Sequence, residues 1–225
     1  MLDIVFSDKI RNAAPALRVI QIEASVTNAP TSDELWSEIE AKMESLACNL
    51  SLQDINKRDG IRETRMAYKA LGKEPNRYRP SAEALCRRIV NGKGLYRTTT
   101  LIDAINLVSI MTGYSIGGFD LDKVAGDTLT LDAGTREDTF HAIGRGLLNI
   151  EGLPVYRDNI GGIGTPTSDE ERTKLSPSTR RLLMLVNIYG ESMPDMETVS
   201  LIQGLLLRHA YLSDFRYKII SQTTI

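Results

Sequence analysis

Arginine and lysine side chains are concentrated in one part of this chain. Residues 57–97 contain 12 Lys and Arg against 4 Asp and Glu, whereas the remainder contains 15 against 25. A guanidinium can bind phosphate through two parallel hydrogen bonds, and the candidates for this role are Arg65, Arg77, Arg79, Arg87 and Arg88. Tyr68 and Tyr78 lie among them, placed to stack on an unpaired base. The alternative is a buried Tyr68 and a solvated helical surface on which the arginines pair with Glu63, Glu74 and Glu83.

Few residues in the chain could act as metal ligands or as a nucleophile with its base. His141 and His209 are the only histidines, and they form no recognisable zinc motif with Cys48 or Cys86. No Ser-His-Asp or Cys-His arrangement is legible, so the sequence assigns no catalytic residue, no metal ligand and no cofactor. Two isolated cysteines in predicted helices are typical of reduced thiols, which favours a cytoplasmic location.

The composition predicts a globular protein with a substantial core. The chain has 225 residues, of which 42% are hydrophobic and 25% charged. No apolar run approaches the roughly 18 residues of a membrane span. The first residues lack a basic stretch followed by an apolar one, so we expect neither a secretory signal nor a membrane association.

Predicted helices come mostly before predicted strands. Helices are expected to begin near Asp33, Arg62, Ser81, Leu101 and Pro194. Strands are expected at Asp3–Ser7, Leu17–Val26, Ile116–Leu121, Thr128–Asp132, Thr139–Ile143, Leu153–Arg157, Ile160–Gly164, Leu182–Tyr189 and Tyr217–Ile220. Leu182–Tyr189 is almost entirely apolar, which indicates a buried central strand. Helices grouped before strands favour an α+β fold, and the absence of a linker predicts one domain over residues 1–225.

Two stretches of the chain resemble a known family. The first comprises Arg65–Gly72, Pro75–Ser81 and Glu83–Arg88, and resembles the opening of stand-alone B3/B4-type proteins. The second runs from Leu101–Asn106 through Gly113 to Ile116–Asp122, and resembles the Asp-x-x-Asn helix, glycine turn and Phe-Asp pair of the phenylalanyl-tRNA synthetase β chain. The resemblance covers residues 62 to 189, and it implies a β-sheet core flanked by helices.

The resemblance also implies a cavity in which a mischarged amino acid is hydrolysed from tRNA. Asn106 matches an asparagine of that pocket, and Gly161-Gly162 matches its glycine-rich strand turn. Gly117 stands where the synthetase β chain usually has a histidine, and the apolar strand at 182–187 lacks the expected acid. Without the resemblance, Asn106 is equally well interpreted as a buried amide bonded to neighbouring backbone.

The sequence is therefore consistent with two functions. The first is a tRNA-binding domain that hydrolyses misacylated tRNA in trans, with the acceptor end of tRNA as its partner. The second is a non-catalytic module that binds tRNA or an amino-acid-like small molecule, which the missing histidine and acid favour. A complete aminoacyl-tRNA ligase is excluded because nothing in the chain resembles an aminoacylation core.

Overall fold

A computed structural model describes residues 1–222 and shows two four-stranded sheets packed against each other, with helices covering the outer face of one of them. The first sheet has the order β10-β2-β9-β3 and the second the order β1-β4-β7-β8. The strands are β1 (Asp3–Phe6), β2 (Arg18–Ser25), β3 (Ser115–Asp120), β4 (Thr128–Ala133), β5 (His141–Ala142), β6 (Gly146–Leu147), β7 (Pro154–Arg157), β8 (Gly162–Gly164), β9 (Arg181–Ile188) and β10 (Asp214–Ser221). The predicted α+β class is confirmed.

Six α-helices occur in the described part of the chain. They are α1 (Asp8–Ala13), α2 (Asp33–Asn49), α3 (Asp59–Ala70), α4 (Ser81–Val90), α5 (Thr100–Thr112) and α6 (Asp195–His209). Within residues 1–222, no helix is long and apolar enough to cross a membrane.

Strand β9 organises both halves of the core. It lies between β2 and β3, antiparallel to each, as expected of the apolar run at Leu182–Tyr189. Because successive side chains of a strand point to opposite faces, Leu182 and Met184 pack among the helices, whereas Leu183 and Leu185 pack against the second sheet. The strand is therefore buried on both faces, which explains why its sequence shows no polar alternation.

A separate, smaller apolar cluster includes Val155 of the second sheet and contains Tyr68. This side chain is fully buried with Phe140 and Val155, and its hydroxyl is 2.9 Å from Thr167 Oγ1. Tyr68 is therefore a buried core residue, as in the alternative interpretation of the sequence. Its ring is not available to stack on a base.

Helix α5 carries the residues that form the candidate site, and both of its ends are fixed. At its start, the Asp103 carboxylate accepts hydrogen bonds from Thr98 N–H at 2.8 Å and from the Thr31 hydroxyl at 2.5 Å. At its end, Gly113 adopts φ 80°, and its N–H donates to the carbonyl of Ser109. A left-handed residue after the last turn is a common helix stop that favours glycine.

Two glycine-to-alanine substitutions are expected to change stability in opposite directions. Gly113→Ala should lower the free energy of unfolding by about 1–2 kcal/mol, because an L side chain is strained at φ 80°. Gly204→Ala, inside α6, should raise it by up to about 1 kcal/mol, since its nearest neighbour is the flexible end of Arg208 at 3.3 Å. Urea denaturation measures both, and a stabilising Gly113→Ala would contradict this account of the helix end.

Two short elements were not predicted from the sequence. Helix α1 is six residues long, buries only Ile10 and is capped by the Ser7 hydroxyl. Strand β6 pairs with β5 over two residues each. Neither is long enough to show a hydrophobic period, which is the signal that identified the longer elements.

Candidate functional site

A cavity of about 230 Å³ lies where α4, α5 and β3 meet Ile143, Asp169, Lys174 and Leu175. Its wall is mainly aliphatic. The residues that line it are Ser81, Leu85, Ile102, Ile105, Asn106, Ser109, Ile116, Gly118, Ile143, Asp169, Lys174 and Leu175. Small-molecule sites in proteins commonly have this composition, with an apolar wall and a few polar groups that orient the ligand.

Asn106, which the resemblance assigns to a substrate pocket, lines this cavity. It belongs to a face of α5 formed with Ile102, Ile105 and Ser109, at the three- and four-residue spacing that places side chains on one side of a helix. Within residues 1–222, the Asn106 carboxamide makes no hydrogen bond to another protein group, so it is not the backbone-bonded amide of the alternative. Both its donor and its acceptor are available to a ligand.

Two glycines of β3 let the strand backbone approach the cavity. Gly118 lines it directly, and an added Cβ there would lie 2.4 Å from Ile105 Cδ1. Gly117 is adjacent rather than in the lining, and an added Cβ there would lie 2.6 Å from the Phe119 ring and 3.4 Å from Asp169 Oδ1. The resemblance drew attention to Gly117, and in the structure its neighbour Gly118 is the glycine of β3 that lines the cavity.

Asp169 is the acidic residue of this cavity, and sequence reasoning did not identify it. Its carboxylate accepts a hydrogen bond from Gly118 N–H at 3.3 Å and has no ion-pair partner in the described chain. Burial in an apolar environment raises its pKa to about 7, and the Gly118 hydrogen bond opposes this shift only in part. A carboxyl group that changes protonation near neutral pH is suited to proton transfer.

The loop after β8 positions Asp169. Thr165 N–H donates to the carbonyl of Ser168, and Thr165 Oγ1 accepts hydrogen bonds from the N–H groups of Thr167 and Ser168. The resemblance would place an acid near the end of β9, where this chain has none. The carboxylate that lines the cavity comes from this turn. The Thr-Pro-Thr-Ser run before Asp169 is a turn signal that could have pointed to the loop.

Gly161 and Gly162 lie outside the cavity lining, which corrects their predicted position. Gly161 belongs to the β7–β8 turn, where its N–H donates to Asp158. An added Cβ at Gly162 would meet Phe140 at 3.0 Å, in the small apolar cluster. The glycine of β8 that reaches the site is Gly164, where an added Cβ would lie 2.8 Å from Asp169 Oδ1. The sequence shows a glycine-rich strand, but Gly162 and Gly164 are two positions apart, so strand alternation does not separate them. The turn after β8 brings Asp169 back beside Gly164, with which it forms a β-bridge.

A family model described as the B3/4 domain matches residues 63–193, which is more than half of the chain. The chain belongs to the B3/4 domain family. Among solved structures, it is similar to an N-terminal fragment of the phenylalanyl-tRNA synthetase β-subunit from Pyrococcus horikoshii, at 13% identity and a TM-score of 0.47. That similarity covers 99% of this chain and 52% of the fragment. A comparison with curated proteins gave no match.

Two of the arginines predicted to bind phosphate are held inside this B3/4 domain. Glu83 is fully buried, and its two carboxylate oxygens accept hydrogen bonds from Arg65 and Arg87 at 2.8 Å each. Arg65 also donates to Asn76, and Arg87 to Asn56. Arg65 and Arg87 are therefore paired with a carboxylate, as in the alternative interpretation of the sequence. Protein groups occupy most of their hydrogen-bond donors.

The other three arginines are more accessible to a ligand. Arg88 donates to the carbonyls of Lys93 and Gly94, and stacks 4.1 Å from the Tyr96 ring centre. Arg79 is half exposed and lies 3.8 Å from Glu83, while Arg77 is exposed and forms no ion pair within residues 1–222. Of the five predicted residues, Arg77 and Arg79 have the most donors free.

The segment that carries Arg77 and Arg79 runs directly to the cavity. Ser81, which lines the cavity, donates its N–H to the carbonyl of Pro166 at 2.7 Å, and the Thr167 hydroxyl lies 3.5 Å from the carbonyl of Tyr78. These contacts join the segment to the loop that positions Asp169. The B3/4 domain thus places exposed positive charge beside a small apolar cavity that contains a carboxylate.

Proposed function

We propose that this B3/4 domain binds the aminoacyl end of a tRNA and hydrolyses the ester bond between the amino acid and the terminal ribose, acting in trans. The observation that carries the proposal is Asp169, an unpaired carboxylate with a raised pKa in an apolar cavity that also contains the free Asn106 carboxamide. The resemblance of residues 65–88 and 101–122 to the synthetase β chain supports tRNA as the carrier of the ester.

In the proposed reaction, Asp169 acts as a general base. It accepts a proton from a water molecule while the water oxygen forms a bond to the ester carbonyl carbon. The bond from that carbon to the ribose oxygen then breaks, the electron pair stays on the ribose oxygen, and Asp169 returns the proton to it. The products are a free amino acid and an uncharged tRNA. A base with a pKa near the working pH is well matched to this task.

Asn106 supplies the hydrogen bonds of the proposed site. Its amide N–H is available to stabilise the negative charge that develops on the carbonyl oxygen, an effect that is strong in a cavity of low polarity. Its carbonyl oxygen is available to the α-amino group of the substrate. The apolar wall excludes water from the rest of the cavity, which strengthens both interactions.

A deacylation assay tests this proposal. Purified protein is incubated with a panel of tRNAs, each charged with a correct or an incorrect amino acid, and the release of the amino acid is followed. We expect hydrolysis of at least one misacylated tRNA and a strong reduction in the Asn106→Ala variant. Absence of hydrolysis across the panel, with no tRNA bound at low salt, would refute it.

The non-catalytic alternative rests on Gly117, which provides no side chain where the synthetase β chain usually has a histidine. In that case the cavity and the basic segment would bind an aminoacyl-tRNA or an amino-acid-like molecule without cleaving it. Saturable binding of a charged tRNA without release of the amino acid would establish this function instead.

Salt dependence tests the role of Arg77 and Arg79 in tRNA binding. Each phosphate contact adds about one unit to the slope of log affinity against log salt. We expect Arg77→Ala and Arg79→Ala each to reduce that slope by about one, measured by fluorescence anisotropy between low and physiological salt. Arg216→Ala is the control, because β10 forms the opposite edge of the first sheet from β3. Equal slopes in all variants would remove these arginines from the interface.

A further inference from the structure

The apolar side chains of the cavity wall are all aliphatic. Six aliphatic side chains from separate parts of the chain form it, namely Leu85, Ile102, Ile105, Ile116, Ile143 and Leu175. None of these side chains can form a hydrogen bond, so a polar group placed against them would lose its hydration without compensation.

Two of the five polar side chains of the lining are already occupied by protein groups. The Ser109 hydroxyl donates to the carbonyl of Tyr114 at 2.7 Å, and the Lys174 ammonium pairs with Glu171. Within the described residues, the free polar groups of the lining are those of Asn106, Asp169 and Ser81. The proposed reaction uses the first two, and Ser81 is the first residue of α4, at the junction with the basic segment.

The volume of the cavity limits the size of the side chain that it can hold. An engineered apolar cavity of about 150 Å³ is large enough to bind benzene. The present cavity, at about 230 Å³, can therefore hold a phenyl-sized or smaller side chain together with the atoms next to the ester.

Taking the proposed function as given, we infer that this cavity selects an amino acid with an unsubstituted apolar side chain, such as phenylalanine or leucine, over its hydroxylated counterparts. A phenolic or aliphatic hydroxyl would face aliphatic carbon instead of a hydrogen-bond partner. A hydrophobic pocket of this kind discriminates against an added hydroxyl by about 10- to 100-fold.

Gly118 is the residue that sets the size limit in this inference. An added Cβ at this position would lie 2.4 Å from Ile105 Cδ1 and 3.1 Å from Leu175 Cδ1. Both atoms are the far ends of flexible side chains that line the cavity, so the neighbours can move. Because they can move only at the expense of cavity space, Gly118→Ala should reduce binding of the largest side chains most.

Binding of non-hydrolysable analogues tests the inference independently of catalysis. The probes are adenosines that carry phenylalanine, leucine, tyrosine or serine in a 3′-amide linkage, measured by isothermal titration calorimetry. We expect the phenylalanyl and leucyl analogues to bind at least about 10-fold more tightly than the tyrosyl and seryl analogues. Equal or tighter binding of the tyrosyl analogue, or no binding of any analogue, would overturn the inference.

Three variants complete the experiment. Gly118→Ala should weaken the phenylalanyl analogue more than the leucyl one, whereas Leu175→Ala, which enlarges the cavity, should not. Ser81→Ala should leave the rank order unchanged, and a lost preference in this variant would show that Ser81 sets it. The selective rank order without hydrolysis of any charged tRNA would refute the proposed function but support this inference. Hydrolysis of charged tRNA without any side-chain preference would support the proposed function and refute this inference.

Discussion

Replacement of Asp169 by asparagine is expected to lower the rate of ester hydrolysis by about 10²–10⁴-fold, the usual contribution of a general base. Asparagine has nearly the same shape as aspartate but cannot accept a proton from water. The rate is best measured in single turnover with a saturating amount of enzyme, so that substrate binding does not limit it. Asp127→Asn, in an exposed turn, is the matched control and should retain the full rate.

The pH dependence of the reaction should identify the base. Because Asp169 must be ionised to accept a proton and its pKa is raised to about 7, the rate should increase with pH up to about 7 and then level off. The residual rate of the Asp169→Asn variant should lack this inflection. A wild-type profile without an inflection near neutral pH, or an unchanged rate in the variant, would rule out Asp169 as the base.

Stability measurements distinguish lost chemistry from lost folding. The pKa of Asp169 is higher in the folded protein than its ordinary value of 3.8, so the folded state binds more protons between about pH 4 and 7. The contribution of Asp169 to the free energy of unfolding is therefore present at low pH and is lost as the pH rises from about 4 to 7. Asp169→Asn should consequently be more stable than the wild type at pH 8, by up to a few kcal/mol. A variant that is both stable and inactive locates the defect in the reaction.

Replacement of Glu83 by glutamine is expected to lower the free energy of unfolding by about 3 kcal/mol, the lower part of the range for a broken buried ion pair. The substitution keeps the volume of the side chain and removes its charge, which leaves Arg65 and Arg87 without their shared counter-ion. Arg65 is 13% exposed and Arg87 25%, so water can compensate only partly. Urea denaturation at neutral pH measures the effect.

Glu63→Gln provides the comparison for Glu83. Glu63 pairs with Arg62 on the exposed side of α3, and a pair of this kind contributes less than about 1 kcal/mol. If the Glu83→Gln variant were as stable as the Glu63→Gln variant, the buried cluster would not hold Arg65 and Arg87 in place. Both arginines would then again be candidates for phosphate binding.

Much of the site could be predicted from sequence because it lies on elements with strong local signals. Helix α5 ends in a glycine, so the chain between Asn106 and the glycines of β3 is short and both come to the same cavity. The basic segment was visible as a run of charge. The sequence offered Glu83 as one of three possible partners for these arginines, and only the structure shows it fully buried and bound to Arg65 and Arg87.

The α+β class, the central position of β9 and the C-terminal stop of α5 follow from the order of residues alone, because helical and strand periodicity and glycine conformation are properties of neighbouring residues. A place for Asn106 in a pocket was implied only by the family resemblance. Asp169, its raised pKa and its contact with Gly118 follow only from the tertiary structure. The carboxylate and that glycine are 51 positions apart in the chain, and burial, which sets the pKa, depends on every segment that packs around them. The same reason explains why Gly164, and not Gly161 or Gly162, faces the site.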